Sequence, residues 1–221
     1  MLRLFALLVQ EIILCVFYII TLIPLGRMKV LKGKKEVPIV LLHGWLTRSF
    51  FLVLLKKRLE HLGYSVHMPD FGGHTGKIDR SSRELHLYIE RNGLKKIIFI
   101  GYSLGGLIGL HYYFNHKKNI VKFISLGTPF NGTYCAKLTS FFSESAKQMA
   151  PGSSFLIKLS KKKIHSHSFY TIGSNHDYIV PYWSSQLKGA HHINIKYEGH
   201  LSLVFSRKVF NKIKEIIYFY R

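Results

Sequence analysis

Between an apolar run at 96–100 (KIIFI) and an apolar helical stretch at 104–115 stand Gly101-Tyr102-Ser103-Leu104-Gly105. A serine raised on a sharp turn between a strand and a helix constrains a chain severely. The strand must end where the serine is wanted, and the following helix must start there. The glycines two before and two after Ser103 leave the turn free of side chains that would clash. The helix behind it directs unpaired amides and a positive dipole end at any charge developing beside the serine. A phosphate-binding turn would call instead for G-x-G-x-x-G or a GK[ST] ending, and neither is present.

The rest of the chain has the same rhythm from residue 37 onward. Residues 37–42 (VPIVLL), 64–68, 96–100, 121–126 (VKFISL), 168–172 and 192–196 read as short strands. The uninterrupted apolar run at 37–42 is that of a strand buried on both faces. Residues 50–62, 80–91, 104–115 and 206–220 read as helices, the second ending at Asn92-Gly93 as a helix C-terminus should. Strand and helix in alternation predict an α/β fold, a mostly parallel sheet of about six strands with helices on both faces. The stretch 131–165 breaks the rhythm and is expected as a cap insertion over the ligand crevice, or as a crossover helix with a long loop.

The 221 residues suit one domain with a short appendage. A hydrophobic content of 48% excludes disorder. Thirty-two Lys and Arg against 11 Asp and Glu leave a net charge of +21, which would draw the chain to anionic surfaces. The basic pairs, such as Lys34-Lys35 and Lys117-Lys118, are scattered, with one run at Lys161-Lys162-Lys163. No nucleic-acid-binding module is recognisable, so no nucleic acid is expected as partner. Two cysteines, Cys15 and Cys135, make neither a disulfide framework nor a zinc site, and His165-Ser166-His167 has no carboxylate or cysteine beside it. No metal and no organic cofactor are expected.

Residues 1–26 are an apolar appendage (LRLFALLVQEIILCVFYIITLIPL over 2–25), long enough to cross a hydrocarbon core of about 30 Å. Gln10 and Glu11 interrupt it, and an ionisable group at that depth is costly. Three placements follow: a spanning anchor, a helix lying on the membrane with Gln10 and Glu11 turned to water, or a cleaved signal. Pro24-Leu25-Gly26-Arg27 offers no small-x-small cleavage site. Basic residues at 27, 29, 32, 34 and 35 would put the following domain on the cytoplasmic side. A membrane surface is the expected partner, and secretion follows if the segment is cleaved.

A serine nucleophile needs a base, and an acid that orients the base. Downstream of Ser103 the carboxylates are Glu144, Asp177, Glu198 and Glu215. Asp177 follows the strand at 168–172 in a loop that would present it. Glu215 falls in the last helix, Glu144 in the insertion, and Glu198 too close to the best histidine. Among thirteen histidines, His200 stands after the last strand and before the last helix. Two backbone donors complete such a site: the amide of Leu104, and that of Trp45 in the loop His43-Gly44-Trp45-Leu46. His43 is expected to support that loop. Phe130, Phe141, Phe142 and Phe155 would suit an acyl chain, or the packing of the insertion.

With these residues the chain resembles small bacterial lipases and esterases of the α/β-hydrolase superfamily. The resemblance is carried by Leu42-His43-Gly44-Trp45, Gly101-Tyr102-Ser103-Leu104-Gly105-Gly106, Leu126-Gly127-Thr128-Pro129-Phe130-Asn131-Gly132, Asp177-Tyr178-Ile179-Val180-Pro181 and Gly199-His200. Gln148-Met149-Ala150-Pro151-Gly152-Ser153 and Phe155-Leu156 resemble the cap of bacterial triacylglycerol lipases. The resemblance spans 37–220 and implies Ser103, Asp177 and His200 as a catalytic triad hydrolysing carboxylic esters, with an ester or lipid as substrate. An acyltransferase or phospholipase using the same triad, or a non-catalytic membrane-bound binding protein on this scaffold, are the alternatives. The chain departs from the family in its high net charge and in lacking the strands that usually precede the oxyanion loop.

Overall fold

The computed structural model describes residues 2–21, 23, 26, 28–116, 119–164 and 167–218. Pro24, Leu25 and Arg27, the Lys117-Lys118 pair, His165-Ser166 and the last three residues lie outside the described residues.

Six strands form one sheet in the order β2-β1-β3-β4-β5-β6, every neighbouring pair parallel. They are β1 (Ile39–Leu42), β2 (Val66–His67), β3 (Ile97–Tyr102), β4 (Ile120–Leu126), β5 (Phe169–Gly173) and β6 (His191–Asn194). All six expected strands are present. The one expected at 64–68 shrinks to two residues at the sheet edge, between the turn at Gly63 (φ +88°) and Pro69. The expected helix at 50–62 begins as a 3-10 turn (Ser49–Leu52) before the α-helix α2 (Val53–His61).

Period-two alternation splits the core into two layers. Ile39 and Leu41 face one way, with Phe51, Leu55 and Leu59 of the 49–61 segment and Val209 and Ile213 of the C-terminal helix α8 (Arg207–Tyr218). Val40 and Leu42 face the other way, against α3 (Ile78–Arg91) and α4 (Leu104–Asn115). α4 is buried over most of its surface, as a helix at the centre of a sheet must be. Residues 131–164 form three short helices, α5 (Tyr134–Leu138), α6 (Glu144–Met149) and α7 (Ser154–Ser160), whose inner residues Ala136, Met149 and Leu156 join the α4 layer.

The register puts Leu42 beside Gly101 and Leu126 beside Ile172. The carboxyl ends of β1, β3, β4 and β5 therefore share one edge of the sheet, where the segments after β3, β5 and β6 converge. The N-terminal helix α1 (Leu2–Ile20) does not stand apart: Leu14, Phe17 and Tyr18 pack against the first core layer.

Candidate active site

Ser103 sits at φ +51°, a left-handed conformation that a non-glycine residue holds only under constraint, at about 1–3 kcal/mol. The constraint is visible. The Ser103 amide donates to the Leu126 carbonyl at 2.8 Å, and Thr128 Oγ1 donates to the Ser103 carbonyl at 2.9 Å. A methyl group at Gly101 would come within 2.6 Å of Gly106 Cα, and one at Gly105 within 2.5 Å of the Leu42 carbonyl oxygen. Glycine is thus dictated at both positions by close backbone approach.

His200 presents Nε2 to Ser103 Oγ at 3.1 Å, and its Nδ1 lies 2.7 Å from Asp177 Oδ2. A carboxylate only accepts, so Nδ1 carries the proton, and Nε2 is left to accept from the Ser103 hydroxyl. Asp177 is 3% exposed. Its Oδ1 accepts from the Ile179 and Val180 amides at 2.9 and 2.7 Å, a turn-forming role held alongside the bond to His200. The other carboxylates are engaged elsewhere: Glu198 accepts from Ser206 Oγ at the start of α8, Glu215 pairs with Lys212, and Glu144 opens α6.

Leu104 contributes the first amide of α4, which has no intrahelical acceptor. Among the described residues the Trp45 amide donates to no backbone carbonyl. The Trp45 ring donates from Nε1 to Ser143 Oγ at 3.0 Å, tying this loop to the N-cap of α6. His43 lies fully buried behind the loop, within 3.1 Å of the Gly44 carbonyl and 3.3 Å of Thr47 Oγ1. Burial outweighs the attraction of Asp70 and pushes its pKa down to about 4. His74, stacked on it at 4.3 Å, is lowered well below the usual value by burial and by the neighbouring His43. Both imidazoles are neutral at neutral pH and support the loop.

A cavity of about 260 Å³ opens at Ser103 and His200, lined mainly by apolar groups including Tyr18, Trp45, Pro129, Met149, Ile179 and Val180. None of the four phenylalanines expected at an acyl chain lines it. Phe130 packs into the α4 layer, Phe155 stacks on His111 at 5.7 Å, and Phe141 and Phe142 contact each other at the surface, Phe141 at 81% exposed. Aromatic character in a sequence does not encode the side of a short helix on which a ring falls. Cys15 and Cys135 are free thiols bordering this same cavity. Among the described residues no group of three or more His, Cys, Asp or Glu could hold a metal ion.

Sequence reasoning missed several residues around Ser103, His200 and Asp177. Tyr102 packs against the His200 ring, tilted by 36° with centroids 5.2 Å apart, and donates its hydroxyl to the His200 carbonyl at 3.3 Å. Tyr18 of α1 donates to the Trp45 carbonyl at 3.3 Å. Glu11 of α1 accepts from the Leu201 amide at 3.0 Å and the Ser202 amide at 2.8 Å. Glu11 is therefore turned to the protein, not to water. Tyr102, Thr128 and Ile179-Val180 lie inside the recognised motifs, so their signal was present. Glu11 and Tyr18 had none beyond their polarity in an apolar segment.

A sequence profile described as the alpha/beta hydrolase fold matches residues 37–156, more than half of the chain. The chain is 29% identical over 93 residues to a pimeloyl-[acyl-carrier protein] methyl ester esterase of Vibrio vulnificus, a match covering 41% of this chain and 36% of the relative. The chain thus spans little more than a third of the curated relative it matches. Among solved structures, the mature lipase of Bacillus licheniformis superposes with a TM-score of 0.69 at 15% identity, over 87% of this chain and 95% of that one. An esterase of Exiguobacterium antarcticum superposes with a TM-score of 0.62 at 17% identity, over 84% and 93%.

Proposed function

The chain belongs to the α/β-hydrolase family, and from that premise we propose that it hydrolyses carboxylic esters through an acyl-enzyme on Ser103. The observation that carries this reading is the continuous hydrogen-bonded path Ser103–His200–Asp177 opening into an apolar cavity. His200 Nε2 takes the Ser103 proton as Oγ attacks the ester carbon. The imidazolium is stabilised by Asp177, and the Leu104 and Trp45 amides receive the tetrahedral oxyanion. His200 then returns the proton to the leaving alcohol. A water molecule, deprotonated by the same nitrogen, releases the acid and restores Ser103.

The substrate is an ester with an apolar acyl group, since Tyr18, Met149, Ile179 and Val180 offer it contact area and no charge. That class embraces lipid esters and is compatible with the ester hydrolysis for which the similar Vibrio vulnificus esterase is named. Residues 131–164 act as the cap, contributing Thr133, Cys135, Ala136 and Met149 to the cavity wall.

Hydrolysis of p-nitrophenyl esters of increasing acyl length, by the chain and by Ser103→Ala, tests the reading. The variant is expected to lose about 10⁴-fold or more in kcat/KM. Equal, slow rates from both folded proteins would remove ester hydrolysis and bring acyl transfer or binding forward.

A further inference from the structure

α1 is inverted relative to a helix in water. Such a helix turns its apolar stripe to the core and its polar face outward. Here Glu11 and, just past the helix, Thr21 lie toward the domain, alongside Leu7, Leu14 and Tyr18, while Arg3 and Gln10 are exposed at the flank between the two sides. At 3.6 residues per turn the opposite side consists of Phe5, Leu8, Ile12, Val16, Ile19 and Ile20 with their apolar neighbours, and no polar residue interrupts it. These six are 52–66% exposed. A continuous strip of this kind is stable against an apolar medium, not against water.

The strip adjoins the site. Glu11 grips the two amides after His200, and a methyl group at Gly199 would collide with its carboxylate, so the docking groove is shaped for this side chain. A second cavity, of about 480 Å³, runs between α1 and the 176–179 loop to His200, and it shares Cys15, Ile179 and Leu201 with the cavity at Ser103. Exposed Tyr178 borders that second cavity, and exposed Leu138 stands on the cap helix that supplies Cys135 and Ala136 to the first. The only carboxylate of α1 is turned inward, and the chain carries +21, so the surface this face meets is an anionic one. A spanning arrangement would need α1 stripped of contacts that run from Leu7 to Thr21; lying flat keeps them and buries the strip.

We propose that α1 lies in the interface of an anionic lipid bilayer, strip side down, and that the site receives its acyl substrate from that bilayer along α1. The substrate half rests on the ester-hydrolysis reading; the docking half does not. The test uses the full chain with vesicles of phosphatidylcholine containing phosphatidylglycerol. Wild type and Ser103→Ala should both float with the vesicles. Val16→Glu combined with Ile20→Glu, both on the strip and away from either cavity, should partition about tenfold or more weaker. That variant should still hydrolyse soluble p-nitrophenyl acetate at the wild-type rate while losing a vesicle-embedded long-chain ester in proportion. On bound protein carrying Cys15→Ser and Cys135→Ser, single cysteines placed by Arg3→Cys or Lys29→Cys should each react with an impermeant maleimide. Protection of one of them means a spanning helix and overturns the proposal. So does a wild-type chain that ignores vesicles, whether it stays monomeric or dimerises through this face. Flotation with no esterase activity in wild type would sink the ester reading alone.

Discussion

α1 and α4 are both strongly apolar helices, and they have opposite fates. α4 starts at the turn of Ser103 and is buried over most of its surface among the sheet, α3 and the short helices of 131–164. Its glycines are there for contact: a methyl group at Gly109 would strike the Phe99 ring, and one at Gly105 the Leu42 carbonyl. α1 has no glycine, is buried on one side only, and from that side Glu11 accepts from the amides that follow His200. Hydropathy measures how apolar a helix is. It does not say whether protein or another medium satisfies it; the placement of the few polar residues and glycines does.

The largest expected effect lies at the cavity that both helices border. Asp177→Asn should keep the fold but lower kcat about 10⁴-fold, because His200 loses the acceptor that fixes its tautomer; ester hydrolysis with a parallel urea titration checks this. A loss below tenfold would mean that Asp177 serves its turn and little else.

Leu107→Ala in fully buried α4 should cost about 3 kcal/mol in urea unfolding. Ile19→Ala on exposed α1 should cost under about 0.5 kcal/mol in the absence of lipid. Equal costs would erase the contrast between the helices.

The loop contacted by Tyr18 of α1 makes stability depend on acid. His43 has a folded pKa of about 4 against 6.5 when unfolded, so between those values the unfolded chain binds more protons. The contribution is complete above about pH 6.5 and is lost as pH falls through the folded value, about 3 kcal/mol from His43 alone by pH 4. Urea midpoints across that range should fall, and His43→Asn should flatten the slope.

Glu11→Ala is the finest probe. Removing the acceptor of two backbone amides should cost about 1–3 kcal/mol, with kcat reduced more than KM changes, because the His200 loop loosens. Glu11→Gln, which keeps one acceptor oxygen, should recover part of the rate.

These contrasts also mark what the sequence revealed. The six strands, the turn at Ser103 and the loop positions of Asp177 and His200 were legible, because burial on both faces and short-range glycine spacing leave local patterns. β2 was overestimated, since the alternation of Tyr64, Val66 and Met68 extends beyond the two residues that pair. The cavity wall was not legible: Phe130, Phe141, Phe142 and Phe155 could serve an acyl chain or the packing of the insertion, and Met149, Ile179 and Val180 line the cavity. The docking of α1 was invisible because its partners, Leu201 and Ser202, lie about 190 residues away and contribute backbone amides, which every residue possesses.

The most direct measurement is covalent: incubate the chain with a fluorophosphonate and map the adduct by peptide mass spectrometry. An activated serine reacts and an ordinary one does not. A single adduct on Ser103, absent from folded His200→Ala, is the predicted result. An unlabelled wild type, or label on another serine, would contradict the assignment of Ser103 as the nucleophile.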